Sequence, residues 1–215
     1  MNVRTVCLLL ALVAVGWWFS PLSPRGGAEF AAQADEGHPS GCEMPPRVDA
    51  FDPPRQSPVP GHLRPFRLRA ATLTPLAGFS VDAKVLSRRD YSSDREAQLS
   101  PVDLALGWGP MRDDAVIERL NITQSNRWFH YRYRGDPPIP RADITRSASN
   151  MHMIPADADV ARALDDVETG DRVRIDGWLV EANAPDGWRW RSSTSRDDSG
   201  AGACEVVYVC SVTEL

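Results

Sequence analysis

The chain has 215 residues, a mass of 23.7 kDa and a formal net charge of −5. Its 42% of apolar and 25% of charged residues are typical of a folded globular protein and exclude wholesale disorder. The acidic balance argues against non-specific nucleic-acid binding, because that function needs clustered positive charge to displace counterions. We therefore expect one domain with appendages, and no nucleic-acid partner.

Arginine supplies 23 of the 24 basic residues, and Lys84 is the only lysine. Arginine codons are GC-rich and lysine codons are AT-rich, so this bias indicates a GC-rich bacterial genome. Codon usage therefore explains the abundance of arginine without any need for phosphate recognition.

The first 22 residues have the features of a targeting segment. Arg4 and the amino terminus form a positive end, and an uninterrupted apolar run extends from Val6 to Phe19. Such a run suits a signal-peptide core or a short membrane anchor. Because the candidate cleavage site Ala32-Gln33-Ala34 lies far beyond the run, we expect an uncleaved single-pass anchor in the inner membrane. A cleaved signal peptide is the alternative, and both place the rest of the chain in the periplasm.

Residues 23–65 are rich in proline and show no apolar periodicity, which predicts a linker. Beyond the apolar run lie Cys42, Cys204 and Cys210, so at most one disulfide forms within a molecule. The last two fall on one predicted strand, about 20 Å apart at strand rise, which is too far for them to pair. Cys42 pairing with one of them is one possibility. The other, which we favour, is two buried apolar cysteines and one exposed thiol.

The first half of the folded region contains strand and helix patterns. Alternating apolar and polar residues predict strands at 66–70, 79–85 and 127–134. Ser100, followed by proline and an acidic residue, has the pattern of a helix start, so we expect a short helix there. Asp113 is expected to cap a second short helix.

In the second half, Asp157 follows a proline and an alanine and predicts a helix whose apolar residues share one face. A strand pair follows Gly170. The last predicted strand has one face formed by Cys204, Val206, Tyr208, Cys210 and Val212.

About six strands and two or three short helices predict an α+β, mainly β fold. We expect a small closed or half-closed antiparallel barrel, OB-like at best, because a helix followed by GDRVRIDGWLVE resembles the second half of such a barrel. The predicted organisation is a membrane anchor or signal segment at 1–22, a linker at 23–65 and a periplasmic β-rich domain at 66–215.

Three strings are distinctive: LSPVDLALGWGPM (99–111), SASNMHMIPAD (147–157) and DGWRWRSSTSRDDSGAGACEVVYV (186–209). They resemble those of a family of uncharacterised proteobacterial proteins whose members typically have one amino-terminal membrane segment and a periplasmic domain. The resemblance spans most of residues 66–210 and implies an anchored topology. It implies no activity and transfers no functional residues.

The candidate ligand-binding residues are His152, Arg196, Asp197, Asp198, Trp188 and Trp190. His152 lies between two methionines, so in a strand its ring points away from both and could face a cleft. The glycine-rich loop at 192–203, with Arg196, could bind a small anion. No GxSxG motif is present, and four scattered histidines give no metal constellation, so we expect no metal and no cofactor.

Trp188 and Trp190 alternate with Arg189 and Arg191. One interpretation is a stacking platform for sugar rings or bases. The other, which we favour, is a core face of two large rings with the arginines outside.

These observations favour a membrane-anchored periplasmic interaction or accessory module of the bacterial envelope, without a catalytic role. Its partners would be the inner membrane, through the N-terminal helix, and an envelope protein. The alternative is a small-ligand binder or a hydrolase-type enzyme with a site built from His152 and the 192–203 loop. That alternative requires these groups to converge around one pocket.

Overall fold

The computed structural model describes residues 42–195 and 203–215. The predicted anchor, the linker up to residue 41 and the candidate residues Arg196, Asp197 and Asp198 lie outside the described residues. Within the described ranges, ten strands and three short α-helices form a mainly β structure. None of the helices in these ranges is long and apolar enough to cross a membrane.

The strands are β1 (Arg55–Ser57), β2 (Phe66–Arg67), β3 (Thr72–Asp90), β4 (Val102–Gly107), β5 (Asn121–Ser125), β6 (Trp128–Arg132), β7 (Ala148–Pro155), β8 (Arg172–Asn183), β9 (Arg189–Arg191) and β10 (Glu205–Glu214). The α-helices are α1 (Asp114–Ile117), α2 (Arg141–Arg146) and α3 (Ala158–Asp166). Two 3-10 turns lie at Glu96–Gln98 and Gly109–Arg112.

Among the described residues, five strands pair in a ring. The order is β3-β4-β7-β10-β8, and β8 pairs again with β3. We call this ring the closed sheet. Four of its pairs are antiparallel and the β7–β10 pair is parallel. The expectation of a wholly antiparallel sheet is therefore wrong, because strand directions cannot alternate completely around a ring with an odd number of strands.

The interior of the closed sheet is apolar. Alternate residues of each strand point inward because successive side chains of a strand face opposite sides. The buried inward residues of β3, β4 and β7 are Ala77, Phe79, Val81, Ala83, Val85, Val102, Leu104, Leu106, Met151 and Met153. Helix α3 adds Val160 and Leu164 to this core. The predicted helix start is confirmed: Asp157 is the N-cap of α3, and its side chain accepts from the backbone N–H groups of Asp159 and Val160.

The predicted helix at Ser100 is wrong. Residues from Val102 form β4, which is paired with β3 on one side and with β7 on the other. The Ser100 hydroxyl donates to the Val102 carbonyl at 3.2 Å instead of capping a helix. The alternation of Val102, Leu104 and Leu106 into the core outweighs the local capping signal, since β preference depends on burial and on neighbouring strands. Asp113 does cap α1 as predicted, accepting from the Ala115 N–H.

Residues 42–65, expected to belong to a linker, pack against the closed sheet. β1 pairs with β3, and Trp178 Nε1 donates to the Glu43 carbonyl at 2.8 Å. A disulfide joins Cys42 to Cys210, with Cα atoms 5.2 Å apart. The favoured expectation of unpaired cysteines is therefore wrong, and the pairing of Cys42 with a cysteine of the last strand is present. Proline removes backbone donors and periodicity, so the sequence shows little sign of this packing.

The predicted single face of the last strand is broken by a β-bulge. The pairing register of β10 with β8 shifts between Val209 and Ser211. As a result, Val212 packs against the interior core, whereas Val206, Tyr208 and Cys210 pack against a second apolar cluster outside the ring. A bulge adds one residue to one strand and so changes which face the later residues occupy.

Gly177 is expected to be essential for the pairing of β8 with β10. A Cβ atom at this position would lie 2.1 Å from the Tyr208 carbonyl oxygen, a backbone atom in the neighbouring strand. We expect Gly177→Ala to lower the free energy of unfolding by about 1–3 kcal/mol or more, as overpacking does. Urea denaturation measures the change, with Gly61→Ala as the control because nothing lies within 4 Å of its Cβ position. Equal stabilities of the two variants would contradict the prediction.

Candidate functional site

Strands β4 and β7 place Asp103 and His152 side by side on the outer face of the closed sheet. The two residues are direct cross-strand partners. Met151 and Met153 point into the core, so His152 points the other way, as the alternation predicts. His152 Nδ1 lies 2.9 Å from Asp103 Oδ1, and the two side chains are only 3% and 0% exposed. This is a buried, oriented carboxylate–imidazole pair.

The β5–β6 hairpin covers this pair with its turn. Asn126 and Arg127 form the two-residue turn with φ angles of 52° and 64°, a conformation that matches the twist of the flanking strands. The Arg127 guanidinium donates from Nη1 to Asp103 at 2.7 Å and from Nε to Asp94 at 2.9 Å. Its Cζ atom lies 3.7 Å from the centroid of the Tyr91 ring. One cation therefore connects two carboxylates from different elements.

The ion pairs of Arg127 with Asp94 and Asp103 shift the pKa values of Arg127 and Asp94. Burial acts against the charged guanidinium, but the hydrogen bonds and attraction of Asp94 and Asp103 outweigh it and raise the pKa of Arg127. The hydrogen bond from Arg127 in turn lowers the pKa of Asp94. Both groups are therefore held in their charged forms.

Asn150 completes the network. Its Nδ2 donates to Asp103 Oδ2 at 3.1 Å and to the Arg127 carbonyl at 3.0 Å, and its Oδ1 accepts from Gln124 at 2.6 Å. The Asp103 carboxylate thus accepts from a histidine, an arginine and an asparagine. We call Asp94, Asp103, Arg127, Asn150 and His152 the Asp103 cluster.

The exposed side of the site is aromatic. The ring centroids of His152 and Trp190 are 4.6 Å apart, and those of Trp190 and Trp188 are 5.9 Å apart. Arg95 lies over Trp188, with Cζ 4.9 Å from the ring centroid, and its Nη2 donates to Asp186 at 2.6 Å. We call Trp190, Trp188 and Arg95 the aromatic row. Both tryptophans are half-buried against the outer apolar cluster, which leaves part of each ring accessible.

Arg189 and Arg191 lie on the other side of β9 and are exposed. Both donate to Glu181 Oε2, Arg189 at 2.5 Å. The hydrogen bond from Arg189 is the main reason that the pKa of Glu181 falls from its ordinary value of 4.5 to about 2. The tryptophans therefore pack against the outer apolar cluster, whereas the arginines on the opposite side of β9 form ion pairs with Glu181.

Glu181 makes the stability of the protein depend on pH in acid. Because its pKa is lower in the folded than in the unfolded state, its stabilising contribution is complete above about pH 4.5 and is lost as the pH falls through about 2. We expect Glu181→Gln to be less stable than the parent at pH 7, with the difference shrinking between pH 4.5 and pH 2. Urea denaturation at several pH values measures this. A difference that does not change over that range would contradict the prediction.

The 192–203 loop begins and ends beside the Asp103 cluster. Ser193 N donates to the Cys204 carbonyl at 3.0 Å, and Val206 N donates to Ser192 Oγ at 3.0 Å. Val206 is the register partner of His152 in the β7–β10 pair. The structure therefore brings His152, the two tryptophans and both ends of the loop together. Three candidate residues of this loop, Arg196, Asp197 and Asp198, lie outside the described residues.

Sequence reasoning missed Asp103, Asp94, Arg127 and Asn150. The pattern after Ser100 places Asp103 in a helix start, although VDLALG also alternates as a strand does. The alternation over 127–134 places Arg127 in a strand, whereas the structure places it in the turn before that strand. The signal for its role would have been a two-residue turn between β5 and β6, but Asn126-Arg127 lacks the glycine that usually marks such turns.

The chemistry available to this arrangement is limited by its pairing. In the described part of the chain, the His152 imidazole is hydrogen-bonded to Asp103 and to no hydroxyl or thiol group. Within residues 42–195 and 203–215, no group of three or more histidine, cysteine, aspartate or glutamate side chains could hold a metal ion.

No family model, no curated protein and no solved structure matches this chain.

Proposed function

We propose that this chain is a non-catalytic binding module of the bacterial envelope, anchored in the inner membrane by residues 1–22. Its ligand is a saccharide-containing envelope component, bound at the aromatic row. The observation that carries the proposal is the convergence of His152, Trp190, Trp188 and the ends of the 192–203 loop on the outer face of the closed sheet.

The strand order supports this location. A ring β3-β4-β7-β10-β8 with a helix between β7 and β8 is the arrangement of an OB-like barrel, which we propose as the fold. Such barrels bind oligosaccharides and oligonucleotides on the face of their second and third strands and with the loops beside it. Here those strands are β4 and β7. The connection between β3 and β4 carries Arg95, and the connection between β8 and β10, which includes β9, carries the two tryptophans. The analogy concerns architecture and supports the position of the site rather than its ligand.

The residues themselves support a saccharide. Sugar rings have apolar faces that pack on tryptophan, and the accessible parts of Trp188 and Trp190 provide such a surface. Arg95 and Asp186 lie at the rim and could bind hydroxyl groups. The net charge of −5 and the periplasmic expectation disfavour an oligonucleotide.

The Asp103 cluster supports binding rather than catalysis. The cluster lies beneath the aromatic row, its carboxylate accepts three hydrogen bonds, and it joins β4, β7 and the hairpin turn. We assign it the role of holding His152, and through it Trp190, in position. The oriented Asp103–His152 pair also favours a second candidate, a hydrolase whose nucleophile comes from the 192–203 loop.

A binding experiment on the full-length chain in detergent tests the proposal. We expect soluble disaccharide fragments of peptidoglycan to quench tryptophan fluorescence saturably. Trp188→Ala should weaken this binding about tenfold, since stacking on an aromatic ring contributes on the order of 1–3 kcal/mol. Phe51→Ala is the control, because Phe51 is an aromatic side chain that is 70% exposed and contacts Arg112 and Arg172 instead.

Absence of saturable binding, or equal affinities of Trp188→Ala and the parent, would contradict the saccharide proposal. Product analysis of the same mixtures separates the second candidate from the first. If the fragments are cleaved, and if His152→Asn abolishes this cleavage, the function is hydrolysis rather than binding alone.

A further inference from the structure

A cleft of about 560 Å³ lies away from the aromatic row, at the base of the β5–β6 hairpin. It is formed where the segment after α1 meets the end of β6, and its lining includes Asn121 and Arg132, which are adjacent register partners in the hairpin. The hairpin turn that covers Asp103 is at the other end of the same two strands. The volume is within the range of small-molecule sites.

The walls of the cleft carry an excess of positive charge. Arg119, Arg132 and Arg134 line it, together with a single carboxylate, Glu118. None of the three arginines forms an ion pair with a carboxylate of the described residues. In this part of the chain, the side-chain hydrogen bond of Arg119 goes to the Asp136 carbonyl, at 3.3 Å. The cleft is therefore locally cationic in a chain whose net charge is −5.

Several other arginines show the contrast, although Arg67, Arg69 and Arg89 also have no carboxylate partner among the described residues. Arg88, Arg127 and Arg189 each lie within 2.7 Å of a carboxylate oxygen. Codon usage explains why arginine is abundant, but it does not explain why three arginines without carboxylate partners line one concave surface.

The remaining wall of the cleft is polar and aromatic. Tyr133 lines it, and the Tyr133 hydroxyl accepts a hydrogen bond from Nε of Arg141. The Cζ atom of Arg141 lies 5.5 Å from the ring centroid, so a fourth cation stands beside the site. Asn121 supplies an amide that can donate to or accept from a polar substituent.

We infer that this cleft binds a ligand that carries a phosphate group, as a monoester or a diphosphate. The guanidinium fork matches phosphate oxygens in a bidentate way. A ligand carboxylate has only two oxygens and one negative charge, so a single arginine is enough to bind it and neutralise it. A phosphate with about two charges and three terminal oxygens matches three arginines opposed by one glutamate. The inference is independent of saccharide binding at the aromatic row.

Calorimetric titration of the full-length chain in a maltoside detergent tests this inference. The probes are inorganic phosphate, pyrophosphate and glucose 1-phosphate. We expect saturable binding that weakens as sodium chloride is raised, because the attraction between exposed charges is screened by salt. Arg132→Ala and Arg134→Ala should each weaken pyrophosphate binding about tenfold, and Arg132→Lys by less.

Arg162→Ala is the matched control, because Arg162 is a 66% exposed arginine on α3, outside the cleft. This variant and Trp188→Ala should bind pyrophosphate like the parent. Equal melting temperatures of parent and variants exclude misfolding as the cause of any loss.

A second arm identifies the source of the phosphate group. Binding to vesicles that contain a phosphomonoester lipid, without binding to the soluble probes, would assign a lipid headgroup. Binding to the soluble probes would assign a small phosphorylated molecule. The inference is overturned if neither the soluble probes below about 10 mM nor the phosphomonoester vesicles bind saturably, or if Arg162→Ala weakens binding as much as Arg132→Ala.

Discussion

Replacing Asp103 by alanine is expected to lower the free energy of unfolding by about 3–5 kcal/mol. The carboxylate is completely buried and accepts from His152, Arg127 and Asn150. Its removal leaves a guanidinium and an amide donor facing a cavity, and the cost of such unpaired buried groups exceeds what Asp94 alone can restore.

Urea denaturation measures this loss, and two further variants separate its causes. Asp103→Asn removes the charge but keeps the volume, so it should cost less than alanine. Asp143→Ala breaks an ion pair with Arg146 at the surface, where Asp143 is 45% exposed, and should cost less than about 1 kcal/mol. If Asp103→Ala were no more harmful than Asp143→Ala, the Asp103 cluster would not hold the hairpin to the closed sheet.

Replacing Cys42 by serine is expected to lower the free energy of unfolding by about 2–5 kcal/mol. The disulfide with Cys210 spans a sequence separation of 168 residues, and a long closed loop removes much entropy from the unfolded chain. It also ties residues 42–65 to β10, together with the hydrogen bond from Trp178 to Glu43.

Denaturation with and without a reductant measures the contribution of the disulfide. The reductant should destabilise the parent by about as much as the substitution does, and it should leave Cys42→Ser unchanged. Cys204→Ser is the control, because the disulfide does not include Cys204. If the reductant had no effect on the parent, the bond would contribute nothing to stability.

The two proposed sites differ in how much of each the sequence reveals. His152 and the tryptophans stand out because their residue types are rare and their neighbours alternate with them. The arginine cleft does not stand out, because Arg119 lies beyond a helix and Arg132 lies at the end of a strand, and only the hairpin brings them together. In a chain with 23 arginines, composition does not distinguish Arg119, Arg132 and Arg134 from the rest.

Residue patterns correctly predicted what depends on near neighbours in the chain. The outward direction of His152 follows from strand alternation, and the start of α3 follows from the capping of its first turn by Asp157. The same reasoning failed at Ser100, where the helix signal is equally local but the segment lies between two strands. Partners on both sides stabilise a strand more than a cap stabilises one turn of helix.

The sequence by itself determined the mainly β class and the alternating core positions of residues 79–85 in β3. Only the tertiary structure decided that β8 pairs with β3 to close the ring, that Cys210 is the partner of Cys42, and that Arg127 reaches Asp103. The reason is physical. Alternation and capping depend on groups within a few residues of each other, whereas ring closure, disulfide pairing and buried ion pairs depend on which distant segments come into contact.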